Sequence, residues 1–179
     1  VDVSAAAIAA ILIKGSTGVD TITANNAATN AVTVFTGGGS DVLQLGVTGA
    51  AHTLKFTATA LNSGDVAAGS VIAINAGNAF QAADTVTIDF GSTLEGLLKV
   101  GGANLGTTLA NVALVGQAFG PNTNVIAIDS GNDTVFQIDL NGDGVYTQAN
   151  DFQITIVGLA NNTLNYIAAT DVFTFTATA

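Results

Sequence analysis

The sequence lacks several residue types on which common functions depend. It has no cysteine, methionine or tryptophan, which excludes a disulfide framework, a zinc-thiolate site and a thiol nucleophile. Lysine and arginine together number 3 against 13 acidic residues, for a net charge of -10, and such a chain would repel a nucleic-acid backbone. The longest apolar run, residues 5–13, is shorter than the roughly 18–20 residues that a spanning helix needs. We therefore expect no nucleic-acid partner and no membrane span.

The residues that are present predict a folded chain. Hydrophobic residues make up 49% and charged residues 9% of the 179 positions, the opposite of a disordered composition. The length suits a single domain, residues 1–179, divided into an N-terminal segment 1–50 and a sandwich-like part 51–179. All acidic residues except Glu95 are aspartate, which suits tight turns and short calcium loops. Calcium is the expected cofactor.

Short β-branched runs separated by glycine, asparagine, serine and aspartate recur along the chain and predict an all-β fold, either a β-sandwich or β-roll-like, with calcium-binding loops. Several runs alternate apolar and polar residues, so that one face of each strand is expected to be buried. Residues 4–13 fit either a short N-terminal helix capped by Ser4 or an apolar strand. The predicted strands are residues 19–23, 31–35, 41–45, 53–57, 70–75, 84–90, 111–115, 124–129, 133–139, 151–157 and 171–176.

The segment with the strongest chemical signature is residues 139–151. Its start, D-L-N-G-D-G, places oxygen-bearing side chains at loop positions 1, 3 and 5 and a glycine at position 6, as calcium loops do. The bidentate glutamate that usually closes such a loop is absent, and we expect Asp151 to close it instead. A plain hairpin turn stabilised by side-chain to backbone bonds is the alternative. The predicted ligands are Asp139, Asn141, Asp143, the Val145 carbonyl, Thr147 and Asp151.

Two further segments approximate the nonapeptide G-G-x-G-x-D-x-U-x. Residues 15–23 and 36–44 place Asp20 and Asp41 at the aspartate position. Calcium in such repeats lies between stacked turns, so a single turn cannot hold it. The two aspartates are 41 − 20 = 21 positions apart, which leaves open whether the turns are direct neighbours or ordinary glycine-rich turns. Both residues are candidate ligands.

Three other residues could contribute to a site. Asp129 and Asp133 flank a short polar segment that could supply oxygens to a neighbouring site, although a plain turn is the preferred interpretation. His52 is the only histidine, and without a cysteine or second histidine it predicts a solvated strand residue rather than a transition-metal ligand.

Taken together, these segments resemble the RTX (repeats-in-toxin) group of bacterial type I secreted proteins, and surface-layer proteins in particular. The resemblance implies export with an uncleaved C-terminal signal, folding on contact with extracellular calcium and, for surface-layer proteins, assembly into a lattice. The segments that carry it are residues 15–23, 36–44, 80–89, 131–135, 139–145, 151–158 and 171–173.

From these observations we expect a structural protein, not an enzyme, located outside the cell or on a bacterial cell surface. Its expected partners are copies of itself in a surface layer, matrix fibre or adhesin, with cell-surface polysaccharide as a second partner to consider. Residues 1–13 or 172–176 are the candidate strands for donation between copies. The alternative function is a calcium-binding C-terminal secretion and folding module of a larger type I secreted enzyme.

Overall fold

The computed structural model confirms the all-β fold. It describes residues 10–23, 31–45, 51–76, 85–105, 111–131, 133–157, 164–167 and 172–176. The strands are β1 Ala10–Lys14, β2 Thr21–Thr23, β3 Ala31–Phe35, β4 Val42–Leu45, β5 Ala51–Lys55, β6 Val71–Ala76, β7 Thr85–Asp89, β8 Lys99–Val100, β9 Ala103–Asn104, β10 Asn111–Ala113, β11 Val125–Ser130, β12 Asp133–Ile138, β13 Phe152–Val157, β14 Leu164–Ile167 and β15 Val172–Thr176. A short helix, α1, covers Gly91–Glu95.

The strands form two large open sheets. A seven-stranded sheet has the order β1-β3-β5-β7-β15-β14-β10, and a six-stranded sheet has the order β11-β12-β13-β6-β4-β2. Strands β8 and β9 form a small separate sheet. Within the described residues, no helix has the length and hydropathy needed to cross a bilayer.

The first seven strands wind as successive coils. Odd-numbered strands enter one sheet and even-numbered strands the other, and all pairings among them are parallel. Lys14 pairs with Phe35, and Phe35 pairs with Lys55, so successive coils lie directly on one another. This half of the molecule is β-roll-like, and the winding continues past residue 50 as far as β7.

The strands that follow extend both large sheets, mostly through antiparallel pairings. Strands β15, β14 and β10 follow β7 in the larger sheet. In the smaller sheet, β13 runs parallel to β6, and β12 and β11 follow it as antiparallel neighbours. Strand β15 therefore lies inside its own sheet between β7 and β14. As a donated strand it would have to leave two neighbours.

The hydrophobic core of the described residues lies between the two sheets, because the strand pleat sends alternate residues inward. Phe56, Phe90, Phe136 and Phe152 pack together in it, with ring centroids of Phe56 and Phe90 4.6 Å apart. Each fully buried apolar side chain contributes about 1.5–3 kcal/mol relative to exposure. Packing against this core holds the two sheets together and keeps the connecting turns at their ends.

For residues 4–13 the sequence left a helix and a strand as alternatives, and the structure decides between them for residues 10–13. These last residues form β1, which pairs with β3 at the edge of the larger sheet, so the helix alternative is wrong for residues 10–13. Residues 1–9, including the proposed cap Ser4, lie outside the described residues. Strand β1 pairs within its own molecule, with Leu12 61% exposed on its outer face.

Candidate metal centre in the stacked turns

The two glycine-rich turns are direct neighbours. Residues 15–20 join β1 to β2, and residues 36–41 join β3 to β4. The Gly15 N–H donates to the Phe35 carbonyl at 2.7 Å, and the Val42 N–H donates to the Asp20 carbonyl at 2.9 Å. The spacing of 21 residues is therefore one full coil, and the sequence alone did not decide this point.

The turns approach each other so closely that only glycine fits. A Cβ added to Gly15 would overlap the carbonyl oxygen of Thr36, and one added to Gly37 would overlap the carbonyl oxygen of Ser16. A Cβ on Gly39 would lie 2.6 Å from the carbonyl oxygen of Gly18. Backbone carbonyl oxygens of one turn therefore face the backbone of the other. Such oxygens are the kind of ligand that calcium prefers.

Aspartate closes the first turn through hydrogen bonds to its own backbone. Asp20 Oδ2 accepts from the Ser16 N–H at 2.6 Å and from the Ser16 hydroxyl at 2.9 Å. These bonds stabilise the carboxylate and lower the pKa of Asp20. The Asp20 carboxylate therefore stabilises the turn in which it lies.

The third turn, between β5 and β6, is closed in the same way. Ser16 and Thr57 occupy equivalent register positions, two residues after Lys14 and Lys55. Asp65 Oδ2 accepts from the Thr57 N–H at 2.6 Å and from its hydroxyl at 3.0 Å, and Oδ1 accepts from the Ala58 N–H at 2.8 Å. Asp65 was not among the residues predicted from the sequence, because its turn carries no nonapeptide signal.

The middle turn differs from both. Asp41 is 1% exposed, its Oδ1 accepts from the Asp20 N–H at 3.0 Å, and its Oδ2 is buried without a hydrogen-bond partner. The equivalent of Ser16 and Thr57 is Gly37, which has no hydroxyl and a φ of +85. A buried carboxylate oxygen without a partner costs free energy and requires an explanation, such as an ion or water.

A second buried oxygen of the same turn is also unpartnered. Thr36 is 0% exposed, and its Oγ1 has no hydrogen-bond partner. Thr36 continues the inward-facing series of Val32 and Val34 on β3, all of them buried. The first and last residues of the turn thus both carry unsatisfied oxygens on the buried side.

The electrostatics of the middle turn disfavour a bare negative charge. Burial raises the pKa of Asp41 to about 6, the nearby Asp20 charge adds to the increase, and the hydrogen bond from the Asp20 N–H opposes it. A bound cation would reverse this penalty by interacting with the ionised form.

The donor set fits a hard cation held largely by backbone oxygen. Among the residues that the structure describes, no group of three or more histidine, cysteine, aspartate or glutamate side chains is arranged to hold a metal. Calcium accepts carbonyl and hydroxyl oxygens together with few carboxylates. Asp41 and Thr36 offer oxygen atoms of this type, and so do the carbonyl groups where the two turns meet, whereas a transition metal would need nitrogen or sulfur.

The predicted calcium loop, residues 139–151, connects β12 to β13. Asp139 is buried, and its two oxygens accept from the N–H groups of Gly142 at 2.7 Å and Gly144 at 2.8 Å. Asp151 is also buried and accepts from Leu140 N–H at 3.0 Å and from Thr147 N–H at 2.7 Å. Asp151 therefore joins the two ends of the loop through hydrogen bonds, and its expected role as a closing calcium ligand stays a prediction.

The other predicted ligands of this loop are solvent-facing. Asn141 Nδ2 donates to Asp143 Oδ2 at 2.9 Å, and the Asp143 N–H donates to Asn141 Oδ1 at 2.9 Å. The Val145 N–H donates to Asp143 Oδ1 at 2.9 Å, while the side chains of Val145 and Thr147 are exposed. The carboxylates here already have backbone partners, as in a hairpin turn, and each oxygen keeps a second lone pair.

Tyr146 has an unusual environment in the same loop. Its hydroxyl is buried without a hydrogen-bond partner. Burial raises the pKa of this phenol, and the negative charge of Asp151 adds to the increase. The ring thus packs beside the loop closure and stays un-ionised at neutral pH.

Two remaining expectations have different outcomes. His52 is not solvated: it is 3% exposed, and its Nδ1 accepts from the Val32 N–H at 3.3 Å. The alternation in β5 predicts this, since His52 shares the inward face with Leu54. Strands β11 and β12 form a hairpin in which Ser130 pairs with Asp133, while Asn132 lies outside the described residues, and a contribution of Asp129 or Asp133 to a site stays a prediction.

Comparison with known proteins gives no relative from which a function could be transferred. No family model matches the chain, no curated protein matches it, and no solved structure matches it.

Proposed function

We propose that this chain is an extracellular structural protein that needs calcium to complete its fold and that assembles with copies of itself on a bacterial cell surface. The observation that supports calcium most directly is the Asp41 carboxylate, which is 1% exposed and has an unpartnered oxygen beside a stacked turn. The glycine-rich turns and the loop at 139–151 are among the segments that resemble RTX secreted proteins, and they support a function of that type.

Calcium would act on stability through mass action. A ligand that binds only the folded state adds RT ln(1 + [L]/Kd) to the free energy of unfolding, about 2.7 kcal/mol when calcium is at 100 times its Kd. The net charge of -10 opposes folding through self-repulsion, and a divalent cation offsets part of it. In this proposal the chain remains poorly folded until it meets calcium outside the cell.

Self-assembly is supported by the sheet edges. Strands β1 and β2 lie at the same end of the two sheets, and no described strand pairs with their outer sides. An edge strand offers unpaired backbone groups to another strand. The exposed side chains of Leu12 and Val19, at 61% and 75%, add apolar surface at this end.

The test is electron microscopy combined with sedimentation analysis of the purified chain, first with calcium, then with a chelator, and then with calcium restored. Sheets or fibres that vanish on chelation and return with calcium are the expected result. Magnesium replaces calcium in the control, because the smaller ion demands a regular octahedron and holds its water tightly. A monodisperse monomer of equal stability in every condition would overturn the proposal.

A further inference from the structure

A different residue occupies the same register position in each of the three stacked turns. The position after the first strand of each coil is Gly15 in the first turn, Thr36 in the second and Phe56 in the third, as the pairing of Lys14, Phe35 and Lys55 requires. The nonapeptide pattern has glycine here, so Thr36 departs from it. At this register position, a hydroxyl is therefore present only in the turn whose aspartate has an unpartnered oxygen.

The flanking turns do not need a cation to satisfy their aspartates. Asp20 accepts from the N–H and hydroxyl of Ser16, and Asp65 accepts from three donors of its own turn. In the middle turn Gly37 has no hydroxyl to donate, and the hydrogen bond described for the Asp41 carboxylate comes from the Asp20 N–H of the first turn. Thr36 Oγ1 and Asp41 Oδ2, the two buried oxygens of this turn without a hydrogen-bond partner, each carry lone pairs that a cation can accept.

We propose that Thr36 Oγ1 and Asp41 Oδ2 are ligands of the same calcium ion, and that the middle turn is the only one of the three stacked turns whose aspartate carboxylate binds metal. This inference rests on the calcium binding proposed above and adds to it the hydroxyl ligand and the division between turns. The carboxylates of Asp20 and Asp65 remain hydrogen-bonded to backbone and hydroxyl donors whether or not calcium is bound.

If Thr36 is a calcium ligand, the substitution Thr36→Val should change the free energy of unfolding in opposite directions without and with calcium. Without calcium, Thr36→Val removes a buried hydroxyl that has no partner, so the variant is at least as stable as the wild type. With calcium, the variant loses one oxygen ligand, and its affinity falls about tenfold, which is about 1.4 kcal/mol. A threonine that only fills space would shift stability in the same direction in both conditions.

The experiment is a calorimetric titration of CaCl2 into chelator-treated protein, paired with urea unfolding in calcium and in chelator. The variants are Thr36→Val, Thr36→Ser, which keeps the hydroxyl, and Thr33→Val, a matched control on the half-exposed face of the same strand. Thr36→Ser and Thr33→Val are expected to keep the wild-type affinity. Asp65→Asn is expected to lose stability equally in both conditions, with calcium affinity unchanged.

The outcomes separate this inference from the proposed function. A wild type that binds no calcium overturns both. A wild type that binds calcium, with a Thr36→Val variant of equal affinity, overturns the hydroxyl ligand alone. Equal loss of stability by Thr36→Val in calcium and in chelator also overturns it, because that is the behaviour of a packing residue. Calcium binding at residues 139–151 would remain in every Thr36 variant and appear as a separate, unchanged component.

Discussion

The buried carboxylate of Asp41 should make the stability of the calcium-free protein fall as the pH rises. The folded-state pKa of Asp41 is about 6, against 3.8 for an ordinary aspartate. Between these two values the folded state holds a proton that the unfolded state has lost, so each increase in pH favours unfolding. Below this range both states are protonated, and above it both are ionised.

The size of the effect follows from the shift in pKa. A difference of about two units, at 1.36 kcal/mol per unit, sets an upper limit of about 3 kcal/mol on the loss between roughly pH 4 and pH 6, and solvent screening lowers it. The pKa of Asp20 is lowered, so its contribution has the opposite sign and is lost as the pH falls. Comparison with Asp41→Asn isolates the Asp41 part, because the amide does not titrate.

The assay is urea unfolding in chelator at a series of pH values, for the wild type and Asp41→Asn. The wild type is expected to lose stability across this range relative to the variant, and to unfold outright near neutral pH if its total stability is small. Added calcium should remove the loss in the wild type, since the ion stabilises the ionised carboxylate. Parallel pH profiles for the two proteins in chelator would refute the reasoning.

Three further predictions concern the turns. Asp65→Asn should destabilise the fold by about 1–3 kcal/mol, with or without calcium, because its oxygens satisfy buried donors; urea unfolding in both conditions measures this. Gly15→Ala should cost about 1–3 kcal/mol through overlap with the neighbouring turn, whereas Gly120→Ala, with nothing within 4 Å of its added Cβ, should be nearly neutral; equal melting temperatures would contradict the close approach. Asp151→Asn should speed amide exchange within residues 139–151 while leaving the core strands protected, and unchanged exchange would argue against the closing role of Asp151.

Local pattern predicted most of the fold because each core strand carries its own signal. Period-two alternation and glycine or asparagine turns located β2 to β7, β10 to β13 and β15 to within a few residues. Strand β14, Leu164–Ile167, lacks that alternation and was missed. Helix α1 was also missed, because Gly-Ser-Thr-Leu-Glu has low helix propensity and only tertiary packing holds it.

The candidate site was predicted only in part, because its decisive features are contacts between coils. Asp41 carried a motif signal, but its unpartnered oxygen depends on Gly37 replacing the donors that Ser16 and Thr57 supply in the flanking turns. No pattern within one turn reveals that comparison. Thr36 occupies a position where the motif expects glycine, and its burial became apparent only from the strand register.

The central claim is that calcium binds the middle turn through Asp41. A crystal structure grown with calcium, with anomalous data collected to identify the ion, tests this most directly. The account predicts a calcium ion about 2.3–2.6 Å from Asp41 Oδ2, with Thr36 Oγ1 in the same coordination shell. A water molecule or no density at this position, in crystals where calcium occupies another site, would contradict the claim.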